Sequence, residues 1–581
     1  MKRRMSLTAA MTLIAVFPQS ALPQEPDNRP RYVVAARAAD TAAVSIESVA
    51  PRDGLQFYVE VNSGGLGELA GSPALLAPLA RLLGADNTAA STVTAFVARN
   101  FTQLSTARLA LAAYGRGGTV ALIEAANASD AERLRIDLAG VVASAGASAQ
   151  QAARPQSGLP SVGATGRVVV VGERDVVERL MSSGAERSLA DDESFKKARA
   201  RFADEPIFGY VEIGAPLRSL MAGESGAASA AYTAGALTAL SSLPSAIVFG
   251  GSIHGESASV RALMIQDLKK PGVLSWLLTG TRAAQPMAAA YAAPDSDLFV
   301  SLMVDWERLF DGIGSALAAG SQGATNEAGT GAVDLLAAAD AAFGFSVRND
   351  LIPAMGNEVA FSISGLNGVL RPAAAGAGGA SPKPRFALMI AVRDAARFEA
   401  LVGKLISKLG PKSAQGFLRS SYRGAAISYR HDIAYTVSGG FFILASGRAA
   451  VQQALDWHAA GTSLGSSEPF LAAVGAPRPA TLQAYLSPNV SRELLNSIVG
   501  RGDKTSPETG TPAASGLVIT PDPEGFMLEI RLPSRLALAA LGSLMTSDGR
   551  PYGVTSPQSA GSPRSNGRRS PTLTTEDLRR P

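Results

Sequence analysis

The chain has 581 residues and no cysteine, which excludes disulfide frameworks, thiolate zinc sites, thiol nucleophiles and an N-terminal lipidated cysteine. It is 46% hydrophobic and only 18% charged, below the usual level of about 25%, so much of its burial must come from small Ala and Gly side chains. Its net charge of +4 belongs to its ends: Lys2, Arg3 and Arg4 carry three charges and residues 546–581 a surplus of three, which leaves the body near −2 and excludes a nucleic-acid footprint.

In chain order, Lys2-Arg3-Arg4 and the apolar run Leu7 to Phe17 predict a secretory signal over residues 1–25, with cleavage near Ala21. The run is shorter than the ~20 residues a membrane span needs, and Pro18, Pro23, Pro26 and Pro30 break any continuing helix. Arg3-Arg4 followed by Leu7 also fits a twin-arginine signal. No later stretch reaches membrane-span length without Gly, Pro or charge, so the expectation is an exported protein, periplasmic or extracellular, with no transmembrane segment in the mature chain.

A first α+β unit is predicted over 31–285. It opens with a strand at Leu55–Val59, followed by the pair Leu109–Tyr114 and Val120–Ala125. A helix follows, with capping-box spacing at Ser129 and Glu132 and an apolar face of Leu134, Leu138, Val141 and Val142. Gln150–Gly166, rich in Gly, Ala, Ser and Pro, reads as a connection. After it come the strand Arg167–Gly172, a helix carrying Val176, Val177, Leu180 and Met181, a helix at Ser194–Phe202, and a strand reaching Tyr210. The unit closes with two strands around Gly255.

A second unit, 286–546, has the same order. Strands fall at Leu298–Leu302, Val359–Ile363 and Phe386–Val392, and Asp394 caps a helix with Phe398, Leu401, Val402, Leu405 and Leu409 on one side. A hairpin, Ala425–Tyr429 with Ile433–Val437, precedes the strand Phe441–Ala445 and a helix at about Arg448–Ala459. Insertions near Gly320–Gly331, Ala373–Ser381 and Arg501–Ser515 read as flexible loops, and 547–581 as a disordered Arg/Ser/Pro-rich tail. Phe195, Tyr210 and Leu220 map onto Phe470, Tyr485 and Leu495 at one offset of 275, and Gly255 and Val260 onto Gly525 and Ile530 at 270. The predicted fold class is α+β: two diverged copies of a largely antiparallel sheet with helices packed on one face.

The second unit resembles an exported bacterial family known as domain of unknown function 3352. The residues that carry the likeness are Pro294-Asp-Ser-Asp-Leu-Phe-Val, Asn349-Asp-Leu-Ile-Pro-Ala-Met-Gly-Asn-Glu-Val-Ala, Tyr422-Arg-Gly-Ala-Ala-Ile and Leu464-Gly-Ser-Ser-Glu-Pro-Phe. The first unit matches in degenerate form. The resemblance implies no activity and no site residues.

No motif supplies chemistry either. Gly461-Thr-Ser463-Leu-Gly465 fits the serine elbow, but a helix precedes it where the elbow needs a strand. Ser194 and Lys197 have S-x-x-K spacing, and Lys504-Thr-Ser506 vaguely suggests the later motif of that class, without its S-D-N element. His254, His431 and His458 do not pair at ligand spacing, and His431 beside Asp432 reads as a hairpin turn. Asp191-Asp192-Glu193 reads as helix-start chemistry rather than a cation site, and Arg501-Gly-Asp503 as an uninformative tripeptide. No catalytic, cofactor or metal residues are assigned. The expected role is a non-catalytic envelope protein that binds a partner protein or an apolar ligand between sheet and helices. The alternatives are a hydrolase assembled from distant residues, with His431 and Ser463 as candidates, and a scaffold protein of the surface. The oligomeric state is open.

Overall fold

Alternating runs of β-branched and aromatic residues pair into a single 19-stranded sheet among the described residues. The computed structural model describes residues 36–37, 44–62, 96, 99–114, 118–151, 160–182, 187–213, 244–266, 284–312, 335–366, 383–408, 416–499, 513–534 and 536–537. The expected signal segment, the tail, the insertions at Gly320–Gly331 and Ala373–Ser381, most of Arg501–Ser515, and Leu220 lie outside these residues.

The first half supplies β1 (Ala36–Arg37), β2 (Leu55–Val61), β3 (Arg108–Tyr114), β4 (Gly118–Glu124), β5 (Pro160–Thr165), β6 (Val168–Glu173), β7 (Ile207–Glu212), β8 (Ala246–His254) and β9 (Ser257–Ile265). The second supplies β10 (Leu298–Met303), β11 (Met355–Ser364), β12 (Arg385–Val392), β13 (Leu418–Tyr422), β14 (Ala425–Arg430), β15 (Ile433–Ser438), β16 (Phe441–Ala445), β17 (Leu482–Leu486), β18 (Ser515–Asp522) and β19 (Gly525–Pro533).

Pairing runs β5-β6-β4-β3-β2-β7-β8-β9 across the first half. It runs β15-β16-β12-β11-β10-β17-β18-β19 across the second, which is the same order strand for strand. All these pairs are antiparallel; β1 lies parallel on β5. The halves join through β9 and β19, also antiparallel. In that junction Val260 faces Ile530, the residue that the sequence offset of 270 makes its counterpart.

Helices cover both faces, which corrects the one-face expectation. On one face of the first half, Val176, Val177, Leu180 and Phe195 pack with Tyr58, Ala110, Val168 and Val170. On the other, Leu134, Leu138 and Val141 from the helix Ala128–Gln151 pack with Leu109, Leu111, Val169 and Val171. Successive strand side chains point to opposite faces, so four consecutive buried valines in β6 require cover on both. The second half repeats this: Val451 and Leu455 lie on one side, and Phe398 and Leu401 from Ala395–Lys408 on the other.

Two further expectations change. The stretch read as a connection contains β5, a strand of small residues whose Gly163 lies where a Cβ would sit 3.1 Å from Met181. The first long helix is capped by Asn127, whose Oδ1 accepts the Asp130 N–H at 2.9 Å, and starts before Ser129. Asp394 does cap its helix, accepting the Arg397 N–H at 3.0 Å. The hairpin β14–β15 and the helix Arg448–Ala460 stand where the sequence places them.

Candidate functional site

The residues singled out by motif are held in structural roles. Gly461 ends the helix Arg448–Ala460 in the left-handed region, and Ser463 is buried at the start of a single 3₁₀ turn, so the strand–serine–helix elbow is absent. Ser194 Oγ donates to Asp192 Oδ1 at 2.5 Å, and the same carboxylate accepts the N–H groups of Ser194 and Phe195 at the start of Glu193–Arg201. Burial raises Asp192, but these hydrogen bonds and Arg52 outweigh it and hold its pKa at about 2. Asp191 accepts from the Ser188 hydroxyl at 2.6 Å. His431 occupies the β14–β15 turn with φ 46°. His458 stacks on Tyr291 with ring centroids 4.2 Å apart. Lys504 and the tripeptide at Arg501 lie outside the described residues. Among the described residues no cluster of three His, Asp or Glu side chains is placed to hold a metal ion.

Two polar arrangements of the first half stand out among the described residues. A cleft of about 540 Å³ is lined by Arg52, Asp53, Gly54, Arg187, Asp192, Glu193 and Ser194. Its Arg52 is engaged by Asp192 at 2.5 Å and Glu212 at 2.9 Å. Deeper in the first half, Arg108 donates to Glu60 at 3.0 Å, to Glu124 at 2.8 Å and to Glu47, while Arg199 and Arg167 complete the charges on Glu60 and Glu124. Burial pushes Glu47 up, but the Arg108 hydrogen bond and charge bring its carboxyl below the usual range. Three arginines meet three glutamates here, which makes the cluster a neutral anchor for the turn at Ile46, whose N–H bonds Glu124 at 3.3 Å.

The central sheet differs on its two faces. Residues opposite one another in an antiparallel ladder share a face. Following the registers outward from Val260–Ile530, one face carries Ile247, Phe249 and Ile253 from β8 and Ala258, Val260, Ala262 and Met264 from β9. It continues with Phe526, Leu528, Ile530 and Leu532 from β19 and Leu517 and Ile519 from β18. Val211 and Val59 extend it on one side, Leu482, Val300 and Leu302 on the other. None of these positions is charged. The opposite face of the same strands holds Arg261, Glu529 and Arg531, with Arg261 paired to Glu205 and Arg478 to Glu529.

Eight strands, β2 to β10, span about 34 Å at ~4.8 Å per strand, and three or four same-face residues per strand give a depth of about 14–20 Å. Its second-half side forms a separate apolar cluster of Met264, Leu302, Leu482, Leu517, Ile519, Phe526 and Leu528, to which no helix residue contributes among the described residues. The described helices on this face pack at its two flanks. Phe249 lies across Gly209, where a Cβ would sit 2.0 Å from the ring, so the glycine admits an aromatic ring onto the sheet. Most of these side chains are half-buried, and Phe361 at the edge is 36% exposed. The sequence signal for this face is the alternation in Ser257–Ile265 and Gly525–Pro533, where polar and charged residues take only one parity.

This is an α+β protein built on one large, mostly antiparallel sheet with an uncharged central face. Residues 269–541 match the family described as Protein of unknown function (DUF3352), the family that the second half of the sequence resembles. No curated protein matches the chain. Crystal forms III and I of TP0453 align at 9% identity over 45% of this chain and 100% and 99% of their own, with TM-scores of 0.22 and 0.19. No helix among the described residues is long and apolar enough to cross a membrane.

Proposed function

We propose that the chain is an exported, non-catalytic envelope protein, built from two diverged copies of one α+β unit, that binds an apolar ligand on its central sheet face. The observation that carries the reading is the uncharged patch centred on Val260 and Ile530. Its side chains are half-buried or buried, Phe526 wholly so, as in the apolar wall of a ligand site. Protein–protein interfaces carry polar groups around and within their apolar core, whereas this face runs from Val59 to Leu302 without a charge, which favours a hydrocarbon-like ligand over a protein partner. The duplication is supported by the shared strand order and by the counterpart pairing at the junction. Export is supported by Lys2-Arg3-Arg4 and the apolar run behind them.

The test is binding of a fluorescent long-chain fatty acid to the full-length protein, alongside lipid extraction from protein purified out of its native envelope. Val260→Lys places an ammonium at the centre of the patch. The expected result is loss of probe binding with the circular dichroism spectrum retained. A wild-type protein that binds no probe and carries no lipid, or a variant that binds equally well, overturns the reading.

A further inference from the structure

We propose that the chain pairs with a second copy of itself through β13, antiparallel and centred on Ser420. The inference does not depend on the apolar face. β13 has one neighbour among the described residues, β14, and forms an end of the sheet; at the opposite end, β5 already carries β1 on its outer side.

The hairpin geometry says which backbone groups face outward. β13 and β14 are joined by Arg423 and Gly424 alone, at φ 49° and 79°, the two positive values of a type I′ turn. In such a hairpin the flanking residues, Tyr422 and Ala425, exchange both hydrogen bonds, and the pattern alternates along the ladder. Leu418, Ser420 and Tyr422 therefore turn their N–H and C=O groups toward β14, and Arg419 and Ser421 turn theirs outward. A second β13 laid antiparallel about Ser420 lets each Arg419 exchange two hydrogen bonds with the other copy's Ser421.

The side chains agree with that register. Leu418, 61% exposed and the most exposed of the large hydrophobic residues described, comes opposite the other copy's Tyr422. Arg419 comes opposite Ser421, so no like charges face one another directly. Ser420 comes opposite Ser420 in the closer, non-hydrogen-bonded type of pair. Its Oγ is buried and has no hydrogen-bond partner within the chain. β13 contains no proline, and its pairing with β14 has no register shift. It lacks the devices that blunt an open edge, apart from its shortness and Arg419. The same operation already holds the molecule together inside, where β9 and β19 pair antiparallel about Val260 and Ile530.

The test uses the full chain, which offers no native thiol. Sedimentation over a range of concentrations should show a monomer–dimer equilibrium. Under mild oxidation, Ser420→Cys should cross-link two chains. Leu418→Cys should not, because its two copies would stand about 14 Å apart along the paired strands, beyond disulfide reach. Ser421→Pro removes an outward N–H while leaving the β13–β14 ladder intact, and should abolish both the dimer and the Ser420→Cys cross-link with the near-ultraviolet spectrum unchanged. A monomer at every concentration, equal cross-linking at both positions, or a dimer indifferent to Ser421→Pro overturns the proposal.

Discussion

Arg108 and Glu358 occupy corresponding positions in the two halves and carry opposite charges. The correspondence follows from the ladder: Tyr58 faces Tyr210 as Phe299 faces Tyr485, and stepping along the paired strands brings Arg108 onto Glu358. Each side chain helps tie the helical turn ahead of its half's first long strand to the sheet. In the first half Arg108 gathers Glu47, Glu60 and Glu124, and Glu124 takes the Ile46 N–H. In the second, Glu358 itself accepts the N–H groups of Met287 and Ala288 at 2.7 and 3.0 Å and the Ser301 hydroxyl at 2.7 Å. Burial raises the Glu358 carboxyl above its ordinary range, and these donors only partly offset it. The first solution depends on its cation. Arg108→Met leaves Glu60, which is 1% exposed, with Arg199 alone and Glu124 with Arg167 alone, and should cost up to about 3–5 kcal/mol in urea unfolding. The loss should shrink as the pH falls below 4.5, where Glu47, whose carboxyl Arg108 holds below its ordinary range, takes up its proton. A variant within 1 kcal/mol of wild type would mean that the cluster contributes little to stability.

At the scale of elements, helix starts and strand parity decide where side chains go. Asp192 starts the helix Glu193–Arg201 and ties it to Arg52 at the head of the first long strand. Asp192→Ala should destabilise the first half by about 1–2 kcal/mol through the lost cap. Because its pKa is lowered from 3.8 to about 2, the contribution is fully present above pH 3.8 and fades as the pH falls toward 2. Wild type and variant should therefore converge in acid, which pH-dependent unfolding can check. Strands of branched and aromatic residues, alternating as in Leu55–Val61 or continuous as in Phe441–Ala445, are legible in the sequence because such side chains fit a pleated, buried surface. β5 was not, because Pro-Ser-Val-Gly-Ala-Thr is written in small residues chosen for close helix approach, and composition alone makes that look like a loop. The continuous Val168–Val171 run signalled cover on both faces, a cue the one-face expectation overlooked. The central apolar face was written in the parity of two strands far apart in sequence, and became a surface only once their pairing was known.

For the whole molecule, the decisive contact joins the last strand of each half. β9 and β19 stay in register from Ser257–Pro533 to Ile265–Gly525, so the sheet passes from one half to the other without a break. Arg201, on a helix of the first half, reinforces the joint by binding Asp522 and, at 3.2 Å, Glu524 in the second. The two halves should consequently unfold in one calorimetric transition rather than two; separated transitions would show that the junction transmits little stability. The order of synthesis gives this joint a further consequence. A chain emerging from its N-terminus completes β9 some 250 residues before β19 exists. Throughout that interval the first half presents a bare, sticky border to every neighbouring nascent chain. The final strand is thus a seal, and a product cut short before Ser515 should be lost to aggregation although its first half is complete.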